Sequence, residues 1–162
     1  SSILVKEDYV NGSYSLGFTN PRADAQSNIY VSTSVKSECL STSGDYEQFF
    51  IYDSDNDGVK ERYCHVFDPT TGRPVQTGIM SATVIGGSAA EDDALTTAIM
   101  AMGKEKAVEF INEKLSARKV VFCYDNNGEY EIITNIPESE IKIMHDKFEI
   151  VNTVSDGKIV LG

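Results

Sequence analysis

The 162-residue chain contains 41% hydrophobic and 24% charged residues, as globular proteins do, and its length predicts one domain spanning residues 1–162. Its formal net charge of −11 argues against nucleic acid as a partner, because phosphate backbones are bound through Lys and Arg. No apolar run approaches the roughly 20 residues that cross a bilayer, and three cysteines without a C-x-x-C spacing argue against a disulfide framework or a structural zinc site.

The first half of the chain predicts a run of short β-strands. Each candidate segment is rich in aromatic and β-branched residues and is bounded by small or polar residues, a pattern typical of strands. The predicted strands are SSILV (1–5), YSLGF (14–18), NIYVSTSV (28–35), YEQFFIY (46–52), RYCHVF (62–67) and IMSATVI (79–85).

The second half predicts two helices followed by further strands. Ser88 and Glu91 fit the S-x-x-E capping box, so we expect a helix from Ser88 to Met102, then a break at Gly103 and a second helix over 104–115. The later predicted strands are KVVFCY (119–124) and EYEIIT (129–134), which flank an Asn127–Gly128 hairpin turn, and short strands within FEIVNTV (148–154) and GKIVLG (157–162). The expected fold class is therefore α+β, with a mostly antiparallel sheet and two central helices.

The first helix carries a carboxylate and a hydroxyl one turn apart, Asp93 and Thr97. Helical spacing predicts a core face of Leu95, Ala98, Ile99 and Met102, and a solvated side of Glu91, Asp92 and Thr96. Asp93 and Thr97 belong to neither face and lie beside Ala90, Met100 and Ala101, a stripe small enough for close backbone approach.

Asp93 and Thr97 offer the hard oxygen ligands that magnesium prefers. A Gly-Gly-Ser turn before a helix usually indicates phosphate binding at free N–H groups, but three acidic residues in the first turns would repel a bare phosphate. A magnesium ion held by this pair, with phosphate completing its octahedron, would resolve that conflict. The alternative is that Asp93 only favours the helix dipole and Thr97 hydrogen-bonds its own backbone.

The acidic segment DSDNDG (53–58) is similar to the start of a calcium-binding loop. Asp53, Asp55, Asp57 and Gly58 match its first, third, fifth and sixth positions, but the twelfth position, which requires Glu, is Cys64. The flanking segments also predict strands rather than helices. We therefore expect an acidic hairpin turn, with any calcium binding weak and incidental.

Two other segments, HVFDPTTGRP (65–74) and TSGDY (42–46), combine turn residues with polar side chains. The first predicts a structured loop leaving a strand, from which His65 could face a ligand while Asp68 forms the turn. TSGDY predicts a small-residue break where backbone amides could approach a ligand. A purely structural role is open for both segments.

Together these motifs resemble those of the FAD:protein FMN transferase family, of ApbE type. HVFDPTTGRP and MSATVIGGSAAEDDALTTAIMAMG (80–103) match the family's His–two apolar–Asp-Pro-x-Thr-Gly-Arg-Pro segment and its Ala-Asp-Ala-Leu-x-Thr-Ala helix start. TSGDY matches the family's Thr-Ser-Gly-x-Tyr element. The resemblance covers about residues 12–125 and implies the C-terminal part of that fold. Asp92 replaces the family's usual alanine and is expected to point to solvent.

The resemblance implies a magnesium-dependent enzyme that moves FMN from FAD to a threonine hydroxyl of an acceptor protein and releases AMP. It implies Asp93 and Thr97 as metal ligands, and His65 and Asp93 as catalytic residues. The implied FAD-binding residues are Thr42, Ser43, Gly44, His65 and Asp68.

The family's N-terminal half supplies part of the FAD pocket and has no counterpart in this sequence, so we expect that half to be a required partner. The alternatives are an FAD pyrophosphatase that forms FMN and AMP, and a non-catalytic domain that binds flavin or a protein. The resemblance also implies a location in the bacterial periplasm or on the extracytoplasmic face of the membrane, with which the family is associated.

Overall fold

The central feature of the fold is a six-stranded sheet with two helices on one face. The computed structural model describes residues 2–6, 12–22 and 28–162. The helices are α1 (Ala89–Met102) and α2 (Lys104–Lys114). The strands are β1 (Ser2–Leu4), β2 (Tyr14–Thr19), β3 (Ile29–Val35), β4 (Cys39–Gly44), β5 (Phe49–Tyr52), β6 (Glu61–Cys64), β7 (Ile79–Ile85), β8 (Lys119–Asn126), β9 (Glu129–Thr134), β10 (Ile141–Ile143), β11 (Phe148–Ile150), β12 (Asn152–Ser155) and β13 (Lys158–Leu161).

The six-stranded sheet runs in the order β1-β4-β7-β8-β9-β11. Its neighbouring strands are antiparallel except β9 and β11, which are parallel. Strand β7 lies in the interior of the sheet, and all seven of its residues are buried, as its run of apolar and small residues favours. The predicted strand at 1–5 corresponds to β1, with Ser1 outside the described residues. The other strands form a three-stranded sheet, β10-β3-β2, and the hairpins β5–β6 and β12–β13.

Each face of the central sheet carries its own apolar core. On one face, α1 and α2 pack against Ala82 and Val84 of β7 through side chains that include Ile99. On the other face, the three-stranded sheet packs against the central sheet through Tyr30 and Val31 of β3. The result is three layers with a mostly antiparallel sheet and two helices, which confirms the α+β prediction.

The helix boundaries agree with the capping signals in the sequence. Ser88 is the N-cap of α1, and its hydroxyl accepts a hydrogen bond from the Glu91 backbone nitrogen at 3.3 Å. Gly103, with φ 80°, separates the two helices. Helix α2 ends at Lys114, one residue before the predicted end. Among the described residues, neither helix has the length and apolar content needed to cross a membrane.

Two predicted hairpin turns are confirmed. Asn127 and Gly128 both adopt positive φ, 54° and 96°, as a two-residue turn between antiparallel strands requires. DSDNDG lies in the loop between β5 and β6, which pair in register from Phe49 and Cys64 to Tyr52 and Glu61.

Strand β4 differs from the sequence prediction. The sequence predicts a break at TSGDY, whereas residues 42–44 belong to β4, between β1 and β7. Ser, Thr and Gly are typical of loops, but antiparallel pairing of residues 42–44 with β7 favours an extended backbone here, and the hydroxyls of Thr42 and Thr83 lie 2.8 Å apart across the pair. The neighbouring predictions shift with it: β5 begins at Phe49, β6 ends at Cys64, and β10 is an additional strand.

The orientation of α1 about its axis also differs from the prediction. Asp92 and Thr96, expected on the solvated side, are 0% exposed, as is Met100. Burial of the Asp92 carboxylate is tolerated because the Arg118 guanidinium pairs with it. The prediction that Asp92 points to solvent is therefore wrong, and the error arose because Arg118 is distant in sequence.

Candidate functional site

Asp93 and Thr97 lie one turn apart on the exposed side of α1, close to the hydroxyl groups of β4. The Ser41 hydroxyl donates a hydrogen bond to Asp93 Oδ1 at 2.8 Å. Ser43 Oγ lies 3.3 Å from Thr97 Oγ1 and 2.8 Å from Thr96 Oγ1. One carboxylate and four hydroxyls are thus gathered between one helix and one strand.

The alternation of side chains along β4 explains which hydroxyls reach α1. Ser41 and Ser43 pair with Val84 and Ala82 of β7 and share the face that the helices cover. Thr42 lies between them and points to the other face, toward Thr83. The predicted ligand segment 42–44 is therefore divided: Ser43 joins Asp93 and Thr97, whereas Thr42 does not.

Gly44 has a steric role at the end of β4. A Cβ atom at this position would lie 2.2 Å from the nearest atom of the Tyr46 ring, much closer than any real contact. The ring packs directly against the glycine backbone, so a larger residue would displace the Tyr46 ring whether or not Gly44 contacts a ligand.

The alternative in which Thr97 only hydrogen-bonds the backbone of its own helix is partly observed. Thr97 Oγ1 donates to the Asp93 carbonyl at 3.2 Å, and the buried Thr96 hydroxyl donates to the same carbonyl at 2.9 Å. These bonds use the hydroxyl hydrogens and orient the oxygens. The Thr97 oxygen keeps lone pairs for a further partner, so its backbone bond is compatible with cation binding.

A buried ion pair fixes the start of α1 beside this cluster. The Asp92 carboxylate accepts hydrogen bonds from Arg118 Nη1 and from the Gly87 backbone nitrogen, the latter at 3.2 Å. Arg118 Nη2 also donates to Glu91 at 2.9 Å, and this hydrogen bond is the main cause of a lowered Glu91 pKa and a raised Arg118 pKa. A side chain at Gly87 would overlap the Arg118 guanidinium, since its Cβ would lie 1.6 Å from Nη1.

His65 and Asp68 lie in the loop after β6. Their hydrogen bonds are made to residues outside the Asp93 cluster. His65 is exposed, and its Nδ1 lies 3.4 Å from the Gln48 carbonyl oxygen. Asp68 Oδ1 accepts hydrogen bonds from the Thr70 hydroxyl and backbone nitrogen at 2.7 and 2.8 Å, and these bonds lower the Asp68 pKa. Asp68 therefore stabilises its own turn, which also contains Gly72 at φ 65°.

The site residues missed at the level of sequence are Ser41, Thr96 and Arg118. Ser41 and Thr96 lie among other serines and threonines, and such a segment has no hydrophobic periodicity that would single them out. Arg118 is 26 residues from Asp92. The pairing of Asp92 on α1 with Arg118, which lies between α2 and β8, becomes recognisable only in the folded chain.

The chain is similar to known proteins in sequence and in structure. A family model described as the ApbE family matches residues 3–122. The chain is 30% identical over 124 residues to a FAD:protein FMN transferase of Salmonella typhimurium, covering 76% of this chain and 33% of that protein. It is 34% identical over 91 residues to a protein of the same name from Escherichia coli strain K12, covering 56% of this chain and 24% of that protein.

Two solved structures have a similar fold. The ApbE protein from Thermotoga maritima matches with a TM-score of 0.57 and 32% identity, over 72% of this chain and 35% of that chain. The flavin transferase ApbE from Vibrio cholerae matches with a TM-score of 0.61 over 82% of this chain and 39% of that chain, at 24% identity, which shows likeness of fold alone.

The α+β fold and the family match together define a member of the ApbE family, to which this chain belongs. The curated relatives named above are FAD:protein FMN transferases. The chain spans about a fifth to a third of the length of the curated relatives that it matches. The matched region, residues 3–122, contains the Asp93 cluster, His65 and Arg118.

Replacing Arg118 with Met should destabilise the fold strongly, because the Asp92 carboxylate would stay buried without its counter-charge. Loss of one partner from such a pair costs about 3–5 kcal/mol. The measurement is the free energy of unfolding from urea titration. Combining Arg118→Met with Asp92→Ala should recover most of the loss, since no charge is then left buried.

The matched control is Lys119→Met, which breaks the more exposed ion pair between Lys119 and Glu140. Pairs of that kind contribute about 0–1 kcal/mol. If Arg118→Met costs no more than Lys119→Met, or if the double substitution restores nothing, the Asp92–Arg118 pair does not anchor α1.

Proposed function

We propose that this chain forms part of a magnesium-dependent FAD:protein FMN transferase, which moves FMN from FAD to a threonine hydroxyl of an acceptor protein and releases AMP. The observation that carries the proposal is the cluster in which the Asp93 carboxylate and the Thr97 hydroxyl meet Ser41 and Ser43 of β4. Membership of a family whose curated relatives are FAD:protein FMN transferases supports the same function.

The donor atoms of the cluster fit a magnesium ion. Asp93 would supply a carboxylate oxygen and Thr97 a hydroxyl oxygen, both hard ligands, and both residues are exposed, which leaves room for water and substrate phosphate. A bound magnesium ion would offset the negative charge of the FAD diphosphate, which a chain of net charge −11 would otherwise repel.

The surrounding hydroxyls orient these two ligands. Ser41 donates to Asp93 Oδ1 and restrains the rotation of the carboxylate, which leaves Oδ2 for a cation. Thr97 donates its hydrogen to the Asp93 carbonyl, which turns its oxygen lone pairs outward. Both residues are thereby held before any ligand arrives, and this preorganisation favours binding.

His65 is the proposed residue at the flavin and pyrophosphate end of FAD. If Nδ1 donates its hydrogen to the Gln48 carbonyl, Nε2 is the unprotonated nitrogen and can accept the proton of an incoming threonine hydroxyl. His65 would then be a general base rather than a donor to the flavin. Thr42, Ser43, Gly44 and Asp68 remain proposed FAD-binding residues through their family motifs.

The remainder of the family fold is the proposed partner that completes the FAD pocket, because the chain spans only about a fifth to a third of its curated relatives. The same site would serve an FAD pyrophosphatase if water replaced threonine as the acceptor. A non-catalytic domain is the other candidate, because the hydroxyls of Ser41 and Thr97 already have hydrogen-bond partners without a ligand.

Alone, the 162-residue chain should give little or no covalent flavin transfer. The measurement is in-gel flavin fluorescence of a threonine-bearing acceptor after incubation with FAD and magnesium. Joining the chain to the family segment that it does not cover, taken from the Thermotoga maritima protein, should restore labelling. Efficient labelling by the chain alone would contradict the need for that segment, and release of FMN and AMP without labelling would favour the pyrophosphatase.

In that joined protein, Asp93→Asn should lower turnover by about a hundredfold or more and shift the magnesium dependence to higher concentration. Replacing a residue that only orients a metal ligand already costs about 10–100-fold, and this change removes the charged ligand of the cluster itself. Thr97→Val removes a neutral ligand at similar volume, so about a tenfold loss is expected. Glu105→Gln on α2 is the matched control. An unshifted magnesium curve for Asp93→Asn would disprove the metal assignment.

His65→Gln tests the role of the imidazole in the same assay. Loss of a general base lowers rates by about 10²–10⁴-fold, so kcat should fall while KM for FAD stays near its original value. A rise in KM at unchanged kcat would instead assign His65 to FAD recognition.

A further inference from the structure

The loop between β5 and β6 gathers three carboxylates that the proposed transferase site does not use. Asp53, Asp55 and Asp57 each place a carboxylate oxygen within 4.8 Å of the other two. Their mutual repulsion is not balanced by any Lys or Arg in the ion pairs of the described residues.

The environment of Asp53 Oδ1 favours a ligand at this cluster. This oxygen is shielded from solvent and has no hydrogen-bond partner among the described residues, although Asp53 as a whole is only partly buried. The other oxygen of the same carboxylate accepts from the Gly58 backbone nitrogen at 3.0 Å. Leaving a buried carboxylate oxygen without a partner is costly, and a cation coordinated there would satisfy it.

The backbone donors of the loop leave the remaining carboxylate oxygens available. The backbone nitrogens of Asp57 and Val59 donate to Asp55 Oδ1 and Asp57 Oδ1, at 3.3 and 2.7 Å. Asp55 and Asp57 each keep an oxygen, Oδ2, that no hydrogen bond of the loop occupies. Their carboxylates are therefore restrained by the backbone while ligand oxygens remain.

Glu61 adds a fourth carboxylate at the edge of the loop. Its Oε2 accepts from the Ser54 backbone nitrogen at 3.5 Å and from the Tyr63 hydroxyl at 3.3 Å, so the side chain folds back toward DSDNDG. Counted from Asp53, Glu61 occupies the ninth position of the calcium-loop pattern, where a ligand often acts through water.

We propose that the loop formed by residues 53–61 binds a calcium ion through Asp53, Asp55 and Asp57. All the available ligand atoms are oxygens, which excludes a preference for softer ions such as zinc or copper. Several carboxylates on a loop suit calcium, which accepts six to eight oxygens in flexible geometry, better than magnesium, which demands a near-ideal octahedron. Because Cys64 replaces the bidentate Glu, the affinity belongs with the weaker calcium modules, with a dissociation constant of about 10⁻⁴–10⁻³ M.

Calcium at this loop would stiffen the hairpin that forms one wall of a cavity. Val59, Glu61 and Arg62 line a cavity of about 650 Å³, together with Arg22 and Asp45. Ordering the turn would fix the positions of these residues. The hairpin also leads directly into His65, so ordering by calcium would reach the loop that carries the proposed base.

The test uses terbium as a luminescent stand-in for calcium. The chain has no Trp, so tyrosine is the sensitiser, and Tyr52 directly precedes Asp53. Terbium bound at the loop should luminesce on tyrosine excitation, dim in Tyr52→Phe, and be displaced by calcium at about 10⁻⁴–10⁻³ M but not by equal magnesium. Calcium alone should raise the Tm by several degrees.

Loop and control variants decide whether the ion sits where proposed. Asp53→Asn and the pair Asp55→Asn with Asp57→Asn should each abolish the calcium-displaceable signal, with folding checked by far-UV circular dichroism. If the pair fails to fold, Asp55→Asn alone should weaken calcium binding at least tenfold. The control pair Glu105→Gln with Asp156→Asn removes the same charge elsewhere, and it should bind calcium like the wild type.

Three results with the wild-type chain, the loop variants and the control pair would overturn the proposal. They are a wild-type chain without a calcium-displaceable signal, loop variants that keep it, and a control pair that loses it, which would assign the binding to the overall negative charge. Asp93→Asn should keep the signal. Its loss in that variant would place the ion at α1 and refute the loop site without touching the transferase assignment.

Discussion

The buried pair between Asp92 and Arg118 determines how α1 sits on the sheet. A carboxylate that is 0% exposed requires a counter-charge, and only one rotation of the helix about its axis brings Asp92 to Arg118. Successive helical residues are about 100° apart, so turning Asp92 inward sets Asp93 and Thr97 toward β4. The geometry of the candidate metal ligands thus follows from a contact in which neither of them takes part.

Local signals predicted much of the fold correctly. The capping box at Ser88, the glycine at 103 and the Asn127–Gly128 turn act within a few residues, so their outcome does not depend on distant partners. Strand β4 and the burial of Asp92 were predicted wrongly for the opposite reason. Residues 42–44 form a strand because β7 pairs with them, and Asp92 is buried because Arg118 pairs with it from the turn between α2 and β8.

The residues of the candidate site show the same contrast between local signals and long-range contacts. The spacing of Asp93 and Thr97 on one helix, with a family motif, was sufficient to single them out from sequence. Ser41, Ser43 and Thr96 orient that pair through contacts across as many as 54 residues of chain, and such contacts leave no periodic trace. Thr42 and Ser43 point to opposite faces of the sheet because side chains alternate along a strand. A segment predicted as a loop gives no reason to expect that alternation.

The Asp93 cluster and the loop at Asp53, Asp55 and Asp57 differ in their number of carboxylates. This difference in charge gives them different expected partners. Asp93 is a single carboxylate among neutral hydroxyls, so a cation there would keep most of its charge and attract a further anion such as a diphosphate. The loop at Asp53, Asp55 and Asp57 brings three negative charges of its own, enough to neutralise a divalent ion without any substrate. The first arrangement suits a cation that takes part in binding an anionic substrate. The second suits a cation that stabilises a hairpin, so the two proposed sites would use divalent ions for two distinct purposes.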